Sequence, residues 1–301
     1  MSYDEFSMLV DNASEAGIPW DGQPKVERQE VVVDAVTGRA VSALVWGNGP
    51  ADIVLVHGGA QNAHTWDTLA LALGRPLVAL DLPGHGHSGW REDHSSWPPD
   101  LADDLAVAVE TFAPDSKLLV GMSLGGLTAI SLAARYAHLV RRLAVVDVTP
   151  GTDHAKAAAI VAFVSGPERF ASFEEILERT VAFNPTRSES SLRRGILHNA
   201  HELPDGQWSW RWDPARHFPE SVGVAKGGEI RFNALWGEVS AVEAPITLYR
   251  GGISPVVGDE DVVEFLRRRP NADVVVVEGA GHSIQGDKPL ELAELLRSLL
   301  D

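Results

Sequence analysis

The 301-residue sequence predicts an α/β fold, a mostly parallel sheet with helices on both faces and one inserted, mainly helical segment. Three observations carry this. Short apolar runs alternate with helical patterns through most of the chain. The alternation stops from 152 to 241 and then resumes. One apolar run, Leu118 to Val120, passes through Gly121-Met122-Ser123-Leu124-Gly125 straight into a helical pattern from Leu127 to Tyr136. The chain therefore divides into 1–151 and 242–301, two parts of one core, and 152–241, an insertion.

Taken in order, residues 1–28 read as a helix or arm, with Phe6, Leu9 and Val10 able to dock on the body before Gly17 breaks the pattern. Edge strands near Glu30–Val36 and Ala40–Trp46 meet at a Thr37-Gly38 turn. Asp52–Val56 is compact and apolar, as a buried strand would be, and it delivers the glycine-rich loop His57-Gly58-Gly59-Ala60. A helix follows near His64 to Leu73. The run Pro76–Leu80 ends in Asp81-Leu82-Pro83-Gly84-His85-Gly86-His87-Ser88, and Leu101–Phe112 has helical spacing. After the Ser123 stretch, Leu143–Val148 is a further strand.

Within the insertion, Ala155–Val164 is an apolar helix. Ser172 with Glu175, and Thr186 with Glu189, have capping-box spacing. Trp208, Trp210 and Trp212 alternate at strand spacing, which suits packing within the insertion more than ligand binding. The α/β rhythm returns with Pro245–Tyr249, a helix near Asp261–Arg268, a strand at Asp273–Val277 and a last helix from Lys288. An insertion after the strand that follows the Ser123 helix lies over Ser123, where a cap would exclude water and shape a pocket.

Composition narrows the functions. The formal charge is −17, so phosphate-rich partners such as nucleic acid or an anionic membrane are disfavoured. The absence of cysteine removes disulfides, thiolate metal sites and cysteine nucleophiles. Residues 1–6 lack the basic and apolar pattern of a leader, and no apolar run approaches the ~20 residues of a membrane span. A cytoplasmic location and a small-molecule substrate are expected, with a monomer or a homodimer both open.

The chemistry centres on Ser123. Gly-x-Ser-x-Gly between a strand and a helix is the setting of a nucleophile elbow, whose sharp turn lifts the serine out at the C-terminal edge of the sheet. Glycines at 121 and 125 relieve the crowding of that turn. His282, in Gly279-Ala280-Gly281-His282, follows the last strand at the same edge and is the expected general base. Leu124 N–H, with Gly59 N–H from the first glycine-rich loop, suits an oxyanion hole. Gly58, Ala60, Trp66 and Met122 are expected around the substrate, with Trp90 also near the mouth. His57 reads as a structural hydrogen-bonding residue. Asp81, His85 and His87 have spacing open to a metal, yet no metal or cofactor is expected.

On His57-Gly58-Gly59, Asp81 to Ser88, Gly121 to Gly126 and Gly279 to His282, in that order, the chain resembles the α/β-hydrolase superfamily, in its capped form. Residues 57–67 and Leu192-Arg193-Arg194-Gly195 are similar to those of a mycobacterial serine esterase of that superfamily. The resemblance covers nearly all of the chain outside the insertion. It implies hydrolysis of short to medium acyl esters through a Ser–His–acid triad, with lactone or carbon–carbon bond hydrolysis, or ligand binding with weakened catalysis, as alternatives. The third member departs from the family pattern. The loop Arg250-Gly251-Gly252-Ile253-Ser254-Pro255 carries Ser254 where the family commonly has Asp. The acid is then Asp147, at the end of the strand after the elbow helix. Failing that, it is Asp259 or Asp261 at the start of the next helix, or there is none.

Overall fold

The structure, a computed structural model, describes residues 3–152, 155–213 and 231–300. Part of the expected insertion, 214–230, thus lies outside the described residues. In chain order the elements are α1 (Leu9–Ala16), β1 (Val26–Asp34), β2 (Arg39–Trp46), β3 (Ile53–Val56), α2 (Asp67–Leu73), β4 (Leu77–Leu80), α3 (Pro98–Phe112), β5 (Leu118–Met122), α4 (Leu124–Arg135) and β6 (Leu143–Val146). Next come α5 (Ala158–Val164), β7 (Arg169–Phe170), α6 (Phe173–Phe183), α7 (Glu189–Asn199), β8 (Ala200–Glu202) and β9 (Trp208–Trp210). The chain closes with α8 (Trp236–Ala241), β10 (Ile246–Gly251), α9 (Asp259–Arg268), β11 (Asp273–Val277), α10 (Ile284–Asp287) and α11 (Pro289–Arg297).

Eight strands form one sheet in the order β1-β2-β4-β3-β5-β6-β10-β11. Only β1 with β2 and β2 with β4 pair antiparallel; the rest are parallel. The central strands are buried on both faces, which explains why they read as unbroken apolar runs. Their side chains still alternate. Val54, Val56, Leu119, Val145 and Leu248 face α3, α4 and α8, while Ile53, Leu55, Val120, Ala144 and Tyr249 face α1, α2 and α11. Each Val, Leu or Ile among them contributes ~1.5–3 kcal/mol on full burial.

Several expectations shift for local reasons. Strand β1 runs earlier than Glu30–Val36 because the Asp34 carboxylate accepts from Val36 N–H, Thr37 N–H and Thr37 Oγ–H, which turns the chain. Strand β6 stops at Val146 because Asp147 has φ +50°. Leu9 is buried and Phe6 packs against the core, but Val10 is exposed and does not dock. Ser172 caps α6 as its spacing predicts, with its Oγ accepting from Glu175 N–H. The α7 cap is instead Ser188, accepting from Ser191 N–H, while Thr186 Oγ–H donates to Asp287.

Between 155 and 213 the chain adds a small antiparallel sheet, β7-β9-β8, to the expected helices. This segment has its own apolar cluster: Phe170, Ile176, Leu192, Trp210 and Trp212 are buried together, with Ala60 of the core among them. Trp210 and Trp212 stack at 4.3 Å between ring centroids.

Candidate active site

The turn after β5 is as tight as its glycines suggest. A Cβ on Gly121 would come within 2.3 Å of Gly125 O, and one on Gly125 within 2.3 Å of His57 O. Ser123 between them has φ +53° and ψ −122°, a conformation that L-residues adopt only under strain. Four described non-glycine residues have positive φ, and three of them, Ala60, Ser123 and Asp147, are at this site. Strain is therefore concentrated where the three loops converge.

Those loops meet because their strands are neighbours. Parallel β3, β5, β6 and β10 release their C-terminal ends side by side. Ser123 N–H donates to Val146 O at 3.1 Å, and Asp147 N–H donates to Tyr249 O at 2.8 Å. The turn after β11 brings in His282. Ser123 Oγ lies 3.0 Å from His282 Nε2, and His282 Nδ1 lies 2.8 Å from Asp147 Oδ2. A carboxylate can only accept, so Nδ1 carries the proton and Nε2 is left free to accept from the serine hydroxyl.

Asp147 is completely buried. Gly251 N–H donates to its Oδ1 at 2.8 Å, and Ser254 Oγ–H donates to its Oδ2 at 2.5 Å. The direction of the second bond follows because a carboxylate can only accept; Ser254 Oγ in turn accepts from Val256 N–H at 3.2 Å. With the imidazole, three donors offset the cost of burying the charge. Of the three candidate carboxylates, Asp147 is the one set against His282. Asp259 is exposed and pairs with Arg250; Asp261 is engaged by Gly258 N–H and Lys156 Nζ, both at 2.7 Å. Neither is in contact with His282 in this structure. Ser254 holds the carboxylate that its loop lacks.

Gly58 and Gly59 lie over the serine. A Cβ on Gly58 would meet Met122 Sδ at 2.6 Å and Ser123 Cβ at 3.1 Å. The N–H groups of Gly59 and Leu124 meet no acceptor among the described residues, and α4 starts at Leu124 with its N-terminus toward the same space. His57 is buried and structural: its Nδ1–H donates to Gly58 O at 2.7 Å and its Nε2 accepts from Leu82 N–H at 3.0 Å. The loop is also held from above, where Asn199 of α7 donates to Ala60 O at 2.6 Å.

A cavity of about 500 Å³ opens over Ser123, with Gly58, Ala60 and Met122 in its floor and Ile160, Phe163 and Trp210 in its roof. Trp66 does not reach it. That side chain is fully buried in the core cluster under α2, where its bulk fills space between helix and sheet. Trp90, nearly half exposed, lies outside the cavity as well. Trp210, for which packing is the favoured expectation, both packs in the segment's apolar cluster and lines the cavity.

Asp81 accepts from Ala63 N–H, His87 N–H and Arg28. Among the described residues, His64, Asp67 and His198 bring ligand-type atoms within 4.8 Å. The two imidazoles stack face to face at 3.7 Å, and both approach Asp67 Oδ2, His64 Nδ1 at 2.9 Å and His198 Nε2 at 3.8 Å. Burial pulls the His64 imidazole down, but Asp67 and Glu5 outweigh it and raise its pKa to about 9. His198 is pushed well below its ordinary value by burial and by the neighbouring His64 charge.

Two site features escape a reading of sequence. Ser254 is visible there only as a missing Asp. Arg187, whose ordinary pKa is lowered by burial, sits in the cavity wall inside what reads as a capping motif.

The alpha/beta hydrolase family matches residues 53–295. The chain is 45% identical over 306 residues to the esterase Rv0045c of Mycobacterium tuberculosis, covering 99% of this chain and 96% of that one. A solved structure of that esterase superposes with a TM-score of 0.84 at 41% identity, covering 100% of both chains. The 3-hydroxybutyrate-oligomer hydrolase of Cupriavidus necator is 27% identical over 259 residues, 82% of this chain and 88% of its own. The structure of an E-2-(acetamidomethylene)succinate hydrolase, at 24% identity, shares the fold with a TM-score of 0.80 over 92% of this chain and 100% of that one. Sheet order, strained elbow and sequence match coincide over the same residues, and the chain belongs to the alpha/beta hydrolase family.

Proposed function

We propose that this protein hydrolyses carboxylic esters of short to medium acyl chains through an acyl-enzyme intermediate. The observation that carries the reading is the unbroken relay Ser123 Oγ, His282 Nε2, His282 Nδ1, Asp147 Oδ2, with links of 3.0 and 2.8 Å. In it, Ser123 attacks the ester carbonyl as His282 takes the hydroxyl proton. Asp147 holds the imidazole in the competent tautomer and faces the imidazolium that forms. Gly59 and Leu124 N–H, which meet no acceptor among the described residues, receive the developing oxyanion. His282 returns the proton to the departing alcohol, then activates a water that releases the acid.

The name of the Mycobacterium tuberculosis relative, an esterase, supports the same class of reaction. A cavity of about 500 Å³ with an apolar roof suits a short to medium chain. Segment 152–241 acts as the cap in this reading, and the partners are the ester and water. No described helix is long and apolar enough to cross a membrane. A cytoplasmic location fits the charge of −17 and the lack of cysteine.

The test is initial rates on p-nitrophenyl esters from acetate to octanoate, wild type beside Ser123→Ala. Turnover by wild type alone, falling off for the longest chains, is expected. Equal rates for the two folded proteins would refute the mechanism.

A further inference from the structure

The cavity over Ser123 has three cationic side chains other than histidine in its wall: Lys156, Arg187 and Arg194. Two are neutralised. Lys156 pairs with Glu260 and Asp261, both at 2.7 Å, and Arg194 pairs with Glu15 and donates to Asn12. Arg187 is different. No carboxylate among the described residues lies within ion-pair distance of it. Among the described residues its guanidinium makes one hydrogen bond, from Nη2 to Ser191 Oγ at 2.6 Å. Its Nε is shut off from solvent and meets no acceptor. The acids whose charge reaches it, Asp287 and Glu15, are already engaged. Asp287 accepts from Thr186 Oγ–H and Gly281 N–H; Glu15 accepts from Arg194, Ser188 and Ser190.

The place of this cation matters as much as its isolation. Its guanidinium lies flat against Gly286 of α10, where a Cβ would come within 3.1 Å of Cζ, Nε and Nη1. Helix α10 begins two residues after His282, so the charge is held against the backbone that carries the base. A half-buried guanidinium whose Nε is sealed from water and which faces no anion is costly, and a chain of net charge −17 could readily have supplied one. A ligand can supply it instead. Guanidinium presents a planar fork of donors that matches a carboxylate, and the pairing is strongest away from water.

Resting on the ester-hydrolase reading, we infer that Arg187 is a specificity residue for an anionic ester, one whose acyl or alcohol part ends in a carboxylate. Such a substrate seats its ester carbonyl at Ser123 and its carboxylate on Arg187. With the carboxylate on the acyl side, hydrolysis consumes one water and yields an alcohol and a dicarboxylate. With it on the alcohol side, the products are a simple acid and a hydroxy acid.

The test compares kcat/KM by pH-stat at fixed ionic strength for matched pairs. Ethyl hydrogen succinate, glutarate and adipate are set against ethyl butanoate, pentanoate and hexanoate for the acyl side. The acetate ester of 4-hydroxybutanoate is set against butyl acetate for the alcohol side. Wild type is expected to favour at least one acidic ester over its neutral partner by about tenfold or more, the range of a hydrogen bond to a charged group. Arg187→Gln should lower that acidic-to-neutral ratio by about 10- to 100-fold, and Arg187→Lys by less. Arg193→Gln changes the net charge equally on the exposed side of α7 and should leave the ratio alone. Unfolding curves check that each variant is folded. No preference by wild type in either series, or an equal loss on both members of a pair in Arg187→Gln, would overturn the inference while the esterase reading stood. Absence of turnover on every ester, neutral ones included, would overturn both.

Discussion

Replacing Asp147 by Asn changes one atom type in a fully enclosed site, and the surroundings dictate how the amide must sit. Gly251 N–H points at Oδ1 from 2.8 Å, so the amide nitrogen cannot occupy that position without setting donor against donor. The amide NH₂ is therefore driven to the Oδ2 position. There it faces Ser254 Oγ, whose hydroxyl can rotate, and His282 Nδ1, 2.8 Å away. Nδ1 must now accept, and the imidazole proton moves to Nε2. That nitrogen lies 3.0 Å from Ser123 Oγ and can no longer take the serine proton. The lost charge also leaves the transient imidazolium without its counterion. A defect of this kind in a Ser–His–Asp triad is worth roughly 10⁴-fold in kcat, about 5.5 kcal/mol of barrier. The assay is burst and steady-state kinetics on p-nitrophenyl butyrate, with thermal unfolding to show that the isosteric variant is folded. A folded Asp147→Asn protein within tenfold of wild type would refute the assignment of the acid and the tautomer argument with it.

Three further predictions are independent of that one. Ser254→Ala removes a donor from a buried carboxylate and should cost about 1.5–3 kcal/mol of stability by urea unfolding, with kcat lowered and KM little moved; unchanged stability would count against its role as the holder of Asp147. Trp66→Ala should cost about 3–5 kcal/mol because the side chain is wholly in the core, and preference among acyl lengths should not change; a shifted length profile would place Trp66 in the pocket after all. His64 links the N-terminal arm to α2, and its folded pKa of about 9 exceeds the ordinary 6.5, so its stabilising contribution is complete below 6.5 and is lost as pH rises through 9. Glu5, its partner, is lowered from 4.5 to about 2 because hydrogen bonds from His64 and Arg28 overcome burial, so its own contribution is complete above 4.5 and is lost as pH falls through 2. The stability gap between wild type and His64→Gln should therefore be widest near pH 5–6 and close above pH 9; a gap constant across that range would show that the imidazole is neutral in the fold.

Much of the core was legible because its physics is local. A strand buried on both faces must be apolar at every position, so the central strands stand out in sequence within a residue or two. The elbow is equally local: Gly121, Ser123 and Gly125 carry its turn, and the structure shows backbone within 2.3 Å of where side chains would begin. The misplacements come from competing local bonds. Asp34 ends β1 early by collecting three donors, and Ser188 rather than Thr186 captures the cap of α7. Trp66 and Trp90 show the weakness of judging a pocket by proximity in sequence, since neighbours along a helix or loop point in different directions.

By itself the sequence determined the fold class, the order of the loops along one sheet edge, and the serine and histidine that those loops present, because turn sterics and hydrophobic burial act over a few residues. It left the acid open among three carboxylates, because which of them meets His282 depends on strand pairing across 135 residues of chain. Tertiary structure decided that. Parallel pairing of β6 with β10 sets Val146 beside Tyr249, so a carboxylate at the end of β6 reaches the loop after β10 and takes Ser254 as a donor. The same is true of Arg187. Its charge is plain in the sequence, but its isolation depends on every acid around it being bound elsewhere, and only the folded chain settles which charges meet.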